Sequence, residues 1–288
     1  MLTKLHSLPK ASALLPFVKL SYGQPSKYWW RDDTGKRHEI RQGEGGEQGD
    51  PLMPALYSLG QHDALEAINR QLLEKEHLFA YLDDIYVVCR PDRAKAVFEL
   101  IERTLSAHTG VHCNMGKTRV WNRGGVEPPG VRELGPEVWV GGAERPAEQR
   151  GVKVPGTPLG IAEYATALGK KRYEKQNTLL KCLPKLPDLQ SAWLLLQQCA
   201  GPRFNYRART VPPTENTEYA SAHDTGMWHA LCALLGKDPL AEDRNTHAER
   251  VATLPQRLGG LGLRSAVRTG AAAYWASWAD ILLMMMER

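Results

Sequence analysis

Apolar residues recur at helical spacing in two stretches of the first half of the chain, which predicts two amphipathic helices. Asp50 followed by Pro51 is typical of the start of the first helix, and Thr109-Gly110 of the end of the second. The apolar positions are Leu56, Leu59, Leu65, Ile68 and Leu72 in the first stretch and Val97, Phe98, Ile101 and Leu105 in the second.

Short runs of apolar, aromatic and β-branched residues predict strands at residues 79–82 and 85–88. The runs meet at Asp83-Asp84, and a two-residue loop needs a residue that tolerates positive φ, which Asp does. The pattern therefore predicts a hairpin with both carboxylates at its tip. A second hairpin is predicted around Asp32-Asp33-Thr34-Gly35, and helices with antiparallel strands indicate an α+β fold.

Two adjacent carboxylates such as Asp83 and Asp84 repel each other unless a cation neutralises them. Mg²⁺ or Mn²⁺ suits such a pair because both ions accept carboxylate oxygens, and two-metal phosphoryl chemistry uses sites of this kind. The alternative is a solvated turn without a metal, which is common among hairpins.

Four glycines lie between Arg41 and Asp50, just before the first predicted helix. Glycines let the backbone approach a ligand closely, and a helix start favours anions such as phosphates. A flexible loop before an ordinary helix would have the same composition, so both interpretations stay open.

Two motifs separated by one predicted helix, Gln48-Gly49-Asp50-Pro51-Leu52-Met53-Pro54 and Tyr81-Leu82-Asp83-Asp84, resemble the palm of a reverse transcriptase of the non-LTR (LINE-like) retrotransposon class. The resemblance implies an RNA-directed DNA polymerase that uses an RNA template, a DNA primer and deoxynucleoside triphosphates. It implies metal binding by Asp83 and Asp84. It also implies a nucleotide and template pocket formed by Gln48, Gly49, Pro51 and Tyr81.

Two later segments extend the resemblance. Residues 111–121 look like the next motif of the family, in which Lys117 would assist the leaving pyrophosphate, although a solvated turn lysine would look the same. Residues 152–160 resemble the primer grip, with Gly156, Thr157 and Gly160 as its residues. Pro155 departs from the family pattern, and because proline lacks a backbone donor we expect an edge or a bend there.

Residues 161–210 resemble a helical thumb. Between residues 151 and 210 the chain has ten Lys or Arg against three Asp or Glu, which suits a phosphate backbone. A solvated charged face is the alternative. The predicted nucleic-acid contacts are Lys170, Lys171, Arg172, Lys175, Arg203 and Arg207.

The family needs a further Asp on a strand before the helix expected over residues 4–18, and residues 1–31 contain no Asp or Glu. No residue here therefore takes the role of the first catalytic Asp. We expect this isolated chain to be inactive or nearly so, and the strand at residues 79–82 to have an unpaired edge.

The resemblance implies three regions: a partial fingers and palm region at 1–160 without its first catalytic strand, a basic helical thumb at 161–210 and a helical C-terminal extension at 211–288. Val211-Pro212-Pro213 suggests the last boundary. The Gly259-Gly260-Leu261-Gly262 loop precedes an apolar stretch that we expect to be a packing helix.

Composition indicates a globular product, with 42% hydrophobic and 24% charged residues and no apolar run long enough for a membrane span. The N-terminal residues make a poor signal peptide, and five scattered cysteines argue for reduced thiols. We therefore expect an intracellular protein, nuclear if it is a retroelement product, without a membrane partner. His108 and His112 do not form a zinc motif, because Thr109-Gly110 interrupts the helix.

Three hypotheses follow from different classes. The first is a retroelement polymerase whose reading frame begins further upstream, working with the remaining parts of a retrotransposon polyprotein. The second is a non-catalytic nucleic-acid-binding remnant, which binds RNA or DNA in a salt-sensitive way. The third is a decayed reading frame without a stable product, which would aggregate through its bare sheet edge.

Overall fold

The computed structural model describes residues 2–43, 46–47, 49–239 and 244–287, so the predicted pocket residue Gln48 lies outside the described residues. The strands are β1 (Lys27–Arg31), β2 (Arg37–Arg41), β3 (His77–Tyr81), β4 (Asp84–Val88), β5 (Gly151–Val154) and β6 (Thr157–Gly160). The helices are α1 (Leu2–Ser7), α2 (Leu15–Tyr22), α3 (Met53–Asn69), α4 (Ala94–Thr109), α5 (Val131–Leu134), α6 (Ala162–Cys182), α7 (Leu189–Leu195), α8 (Asn205–Thr210), α9 (Pro213–Leu234), α10 (Arg244–Ala252) and α11 (Ala266–Met286).

The strands form three separate antiparallel hairpins, β1–β2, β3–β4 and β5–β6, within the described residues. The fold is therefore a mixture of helices and small antiparallel sheets, compatible with the predicted α+β class. In the described part of the chain, no helix combines the length and apolar character needed to cross a membrane.

The chain divides into two compact units. The first comprises Met1–Thr118 and Pro128–Gly135, and the second comprises Arg119–Glu127 and Pro136–Arg288. The predicted palm region thus contributes to both units, because the hairpin resembling a primer grip belongs to the second.

The first unit is built on α3, whose buried residues face two neighbours. Leu56 packs with Leu5 of α1 and Val18 of α2. Further along α3, Ile68 packs against Ile101 and other apolar residues of α4, as their helical spacing predicted. The hairpin β3–β4 rests on this second cluster through alternate residues, namely Leu78, Ile85 and Val87.

The start of α3 differs from the prediction by a few residues. The helix begins at Met53, and Asp50 lies in the preceding turn, where its Oδ1 accepts a hydrogen bond from Leu52 N at 2.8 Å. Tyr22 Oη also donates to this carboxylate, at 2.7 and 2.8 Å. The Asp50 carboxylate therefore links the end of α2 to the turn that precedes α3.

The second unit is a helical assembly around two apolar clusters. Leu180 of α6 and Leu231 of α9 belong to the first, together with Leu263 from the loop before α11. The second cluster joins α8 and α9 to the start of α11. Val211 is only 1% exposed, and Pro213 is the first residue of α9. The predicted boundary at residue 211 is thus a helix junction inside this unit, because α9 and α11 complete the core that α6 begins.

The glycine-rich loop before α11 makes close backbone contacts. Gly262 N donates to Leu254 O at 2.9 Å, and a side chain on Gly260 would meet that carbonyl at 2.1 Å. The first turn of α11 is capped from α9, since Asp224 accepts hydrogen bonds from Ala266 N and from Ser265 Oγ, both at 2.7 Å. The loop is therefore a packing element that leads into the expected helix.

Candidate functional site

The hairpin β3–β4 presents the two predicted catalytic carboxylates at its turn. Tyr81 pairs with Asp84, so the two-residue loop consists of Leu82 and Asp83, and Asp84 is the first residue of β4. The loop lies one residue earlier in the chain than the predicted Asp83-Asp84 loop, because Tyr81 pairs with Asp84. Both carboxylates remain at the exposed end of the hairpin.

The backbone of this turn is unusual at Leu82, whose φ is 55°. Among the described residues other than glycine, Lys75 alone shares a positive φ. A leucine in this region is disfavoured by contact of its Cβ with the following carbonyl oxygen, at a cost of about 1–2 kcal/mol. Such conformations persist where surrounding structure enforces them, and they concentrate at functional sites.

Residues of α3 and β4 surround the carboxylates. Tyr86 Oη donates a hydrogen bond of 3.0 Å to Asp84 Oδ2. Burial and the nearby charge of Asp83 raise the pKa of Tyr57 on α3. Gln61 Nε2 in turn donates to Tyr57 Oη at 2.6 Å. Tyr57 of α3 therefore lies close enough to the turn for its pKa to respond to the charge of Asp83.

The carboxylate oxygens of Asp83 and Asp84 are the ligand type that a hard cation prefers, but two carboxylates are few for such a site. In the described part of the chain, the one group of three close metal-ligating side chains is His62, Asp63 and Glu66 on α3. Among the described residues, Asp83 and Asp84 thus have no third His, Cys, Asp or Glu ligand within reach. Because Mg²⁺ affinity depends on the number of charged oxygen ligands, we expect weak binding by this pair alone.

A cavity of about 830 Å³ lies beside the predicted nucleotide motif. Asp50 and Pro51 line it together with the end of α2 and the base of the hairpin β1–β2. The hydrogen bond from Tyr22 lowers the pKa of the Asp50 carboxyl, and the adjacent Gly49 has a φ of 96°. The remaining polar lining residues are Ser21, Gln24, Ser26, Gln42 and Glu47.

Among the residues that the structure describes, this lining has two carboxylates and no Lys or Arg, so it suits a base or a sugar better than a triphosphate. Pro51 therefore lines a cavity and Gly49 lies next to it, while their role in a nucleotide and template pocket stays a prediction. Tyr81 is exposed on β3 and is not among the residues that line the cavity.

Lys117 lies in an exposed turn after α4, where its backbone N donates to Asn114 O at 2.9 Å. Its side chain makes no hydrogen bond or ion pair with Asp83 or Asp84 in the described part of the chain. Its predicted role at the pyrophosphate therefore stays a prediction.

The hairpin β5–β6 carries the residues predicted for a primer grip, and its turn is Pro155-Gly156. Gly156 has a φ of 84°, and proline followed by a glycine with positive φ is the preferred composition of a type II turn. Pro155 thus lies in the turn, where its missing donor is not needed. Thr157 pairs with Val154, and Gly160 pairs with Gly151 at the other end.

Two helices hold this turn. Arg172 of α6 donates through Nη2 to Gly156 O at 2.6 Å, and Tyr206 of α8 donates to Pro155 O. The hydroxyls of Thr157 and Tyr206 lie 3.2 Å apart. The structure therefore brings together Gly156, Thr157 and Arg172 of the predicted site.

The other predicted nucleic-acid contacts differ in exposure. Lys170, Lys171 and Lys175 are exposed on α6. Arg203 is exposed as well, and its Nε donates to Cys199 O at 3.3 Å. These four side chains are accessible to a phosphate backbone.

Arg207 is at odds with its predicted role, because its side chain is 1% exposed. Its Nε donates to Asn216 Oδ1 at 2.7 Å and its Nη2 to Ala165 O at 2.8 Å, while Nη1 is buried and has no hydrogen-bond partner among the described residues. Burial lowers the pKa of Arg207 to about 10. The count of basic residues could not separate this inward-facing arginine from the outward-facing lysines.

A buried polar network continues beside Arg207, and sequence reasoning missed it. Tyr219 Oη donates to Gln176 Oε1 at 3.1 Å, and Gln176 Nε2 donates to His223 Nδ1 at 2.7 Å. Polar residues at helical spacing within the apolar pattern of α9 were the available signal: Asn216, Tyr219 and His223 are three and four residues apart.

No protein-family model, curated protein or solved structure matches this chain.

Proposed function

We propose that this chain is the RNA-directed DNA polymerase domain of a retrotransposon and that it transfers nucleotides by a two-metal mechanism. The observation that carries the proposal is the turn of the hairpin β3–β4. Asp83 and Asp84 lie at this turn after a leucine held at positive φ, and Tyr57 of the helix that follows the glycine-rich motif lies near Asp83. A strained turn with two exposed carboxylates suits a metal site better than a solvated loop.

In this proposal Asp83 and Asp84 hold Mg²⁺ or Mn²⁺. The metal ions, when bound, stabilise negative charge on the reacting phosphate oxygens. The cavity beside Asp50 and Pro51 accepts the base and sugar of a nucleotide or template. The turn at Gly156, held by Arg172, contacts the primer, while Lys170, Lys171 and Lys175 bind the nucleic-acid backbone.

A second candidate function is nucleic-acid binding without catalysis. The specific observation in its favour is the lack of a third metal-ligating side chain near Asp83 and Asp84 among the described residues. A third carboxylate would raise the affinity for a divalent ion, so we expect low polymerase activity from this chain alone.

Primer extension on an RNA template with Mg²⁺ tests the proposal. We expect weak synthesis that Asp83→Ala reduces by at least about 100-fold, because the change removes metal-bound charge stabilisation. Asp92→Ala is the matched control, since Asp92 is an exposed aspartate of the same unit that pairs with Arg90. A version extended upstream in frame tests whether a further strand supplies the third carboxylate.

The outcomes separate the two candidates. Synthesis that persists in Asp83→Ala contradicts the proposed active site. Template binding by both forms without synthesis in either, including the extended version, supports the non-catalytic function.

A further inference from the structure

A cavity of about 660 Å³ lies within the second unit, between α8, the first turns of α11 and the segment 253–255. Its volume is in the range of small-molecule sites. Three arginines line it, namely Arg209 of α8, Arg264 of the loop before α11 and Arg268 of α11 itself. Over the described part of the chain, no Asp or Glu lines the same space. The cavity therefore concentrates positive charge.

The three guanidinium groups differ in what they already contact. Arg209 Nη2 lies 3.0 Å from Asp280 Oδ2, so a carboxylate offsets its charge. Arg268 Nη2 donates to the Thr253 hydroxyl, which is a neutral partner. The Arg264 side chain is exposed and makes no hydrogen bond or ion pair within the described residues. Two of the three cations are thus without a carboxylate partner in this part of the chain.

The backbone at the start of α11 is not the source of the positive charge. Asp224 of α9 already accepts hydrogen bonds from Ala266 N and from Ser265 Oγ, both at 2.7 Å. Asp224 does not line the cavity, and its carboxylate is bonded to the helix start. An anion in the cavity would therefore be attracted by the side chains of Arg264 and Arg268.

The rest of the lining offers both apolar surface and a neutral donor. Leu254, Pro255 and Ala273 supply the apolar surface. The amide of Asn205, one helical turn before Arg209, can donate a hydrogen bond to an oxygen atom. A lining of this composition accepts the carbon skeleton of an organic ligand as well as its charged group.

We propose that this cavity binds a phosphomonoester carried by a small organic molecule. The phosphate pairs with Arg264 and Arg268, and the organic part lies against Leu254. Guanidinium groups match the geometry of phosphate oxygens. A phosphomonoester carries a charge of about −1.5 to −2 at pH 7, which matches the two arginines without a carboxylate partner. A monocarboxylate would neutralise only one of them.

The same charge balance favours a small ligand over a nucleic-acid strand. Each phosphodiester of a strand carries a single negative charge, so one such group would leave one of the two arginines uncompensated. The inference does not depend on the polymerase proposal, because the cavity lies in the second unit and Asp83 lies in the first.

Isothermal titration calorimetry of the full chain tests the proposal with inorganic phosphate and adenosine 5′-monophosphate. Adenosine is the comparison ligand without a phosphate, and we expect it to bind at least about tenfold more weakly than the monophosphate. Arg264→Gln should weaken binding of both phosphate compounds by about fivefold or more, because it removes a charged donor. The matched control is Arg257→Gln, an exposed arginine outside the cavity lining, which should stay within about twofold.

Urea midpoints show whether the variants fold. We expect both to match the wild type, since the Arg264 side chain has no partner within the described residues and Arg257 is exposed.

Chemical modification locates the bound anion without a variant. Phenylglyoxal reacts with accessible guanidinium groups, and peptide mass spectrometry identifies each modified arginine. We expect inorganic phosphate to protect Arg264 and Arg268 and to leave Arg257 reactive. Sodium chloride at the same ionic strength should protect none of the three, because chloride cannot make a bidentate contact.

Several results would overturn the proposal. They are the absence of binding by either phosphate compound, equal affinities of adenosine and its monophosphate, equal weakening by Arg264→Gln and Arg257→Gln, and equal protection of all three arginines. An oligodeoxythymidylate without a terminal phosphate is the remaining comparison. If this strand binds through Arg264 and the monophosphate does not bind, the cavity belongs to a nucleic-acid backbone and the small-ligand proposal is wrong.

Discussion

The hairpins β3–β4 and β5–β6 have two-residue turns but differ in what enforces those turns. Pro155-Gly156 is a preferred turn sequence, and Arg172 and Tyr206 bond to its carbonyl groups. Leu82-Asp83 is not a preferred turn sequence, and Leu82 adopts a φ of 55°. Because leucine is disfavoured at positive φ, local stability does not account for this turn. Presentation of the two exposed carboxylates would account for it.

The supports beneath the two hairpins also differ. β3–β4 rests on the apolar side chains of α3 and α4, which fix its position without directing its polar groups. β5–β6 is next to helices whose interior contains Arg207 and its polar partners. Polar support specifies geometry strongly but is sensitive to the loss of any one partner.

The largest stability effect is expected from Asn216→Ala in the hydrogen-bond network around Arg207. This change removes the acceptor of the Arg207 Nε hydrogen bond and leaves a buried cation poorly satisfied. We expect a loss of about 2–3 kcal/mol in the free energy of unfolding, measured by urea denaturation. Thr217→Ala, at the exposed neighbouring position, should change it by less than about 0.5 kcal/mol. Equal effects would mean that Arg207 does not depend on this bond.

A smaller loss is expected from Gly156→Ala. Alanine at a φ of 84° is strained by about 1–2 kcal/mol, and its Cβ would lie 3.4 Å from the Tyr206 ring. Urea denaturation measures the change. Gly60→Ala in α3 is the control with the opposite sign, because no atom lies within 4 Å and alanine favours helix, with a gain of about 0.5–1 kcal/mol.

The converse change at the other turn is Leu82→Gly. Glycine adopts positive φ freely, so relief of strain should exceed the entropic cost, with a net gain of about 0.5–1 kcal/mol in unfolding free energy. Leu73→Gly, at an exposed turn leucine without positive φ, should lose a similar amount. A loss of stability in Leu82→Gly would refute strain at this turn.

The smallest effect is a dependence on pH. Burial lowers the pKa of His223 below its ordinary value of 6.5, so the folded state binds fewer protons than the unfolded chain at lower pH. The stability contribution of neutral His223 is present above pH 6.5 and is lost as pH falls through the folded pKa. Urea midpoints between about pH 7 and pH 5 should fall less in His223→Gln than in the wild type. The exposed His229→Gln should retain the wild-type dependence.

The positions of the hairpins β1–β2 and β3–β4 followed from local sequence, and that of β5–β6 from its resemblance to a primer grip. Alternating or continuous apolar runs flanked by turn residues mark strands, and each hairpin joins strands that are adjacent in the chain. The exact loop at Asp83 did not follow, because Asp tolerates positive φ and the leucine before it does not. Pairing of Tyr81 with Asp84 decided the register instead.

Burial of single charged residues was less predictable than the elements that carry them. Arg207 and the exposed lysines of α6 look alike in a count of charge. The polar partners that hold Arg207 come from Asn216 and from the carbonyl of Ala165, 42 residues earlier. Contacts between residues this far apart are set by helix packing, which periodicity alone does not give.

The cap of α11 has a consequence for the order of folding. The carboxylate that satisfies its first backbone N–H groups comes from Asp224, 42 residues before Ala266. Closing a chain segment of this length costs entropy before any contact repays it, so the last helix gains its cap only after α9 is in place. Refolding of α11 should therefore follow that of α9, and Asp224→Ala should speed its unfolding more than it slows its folding.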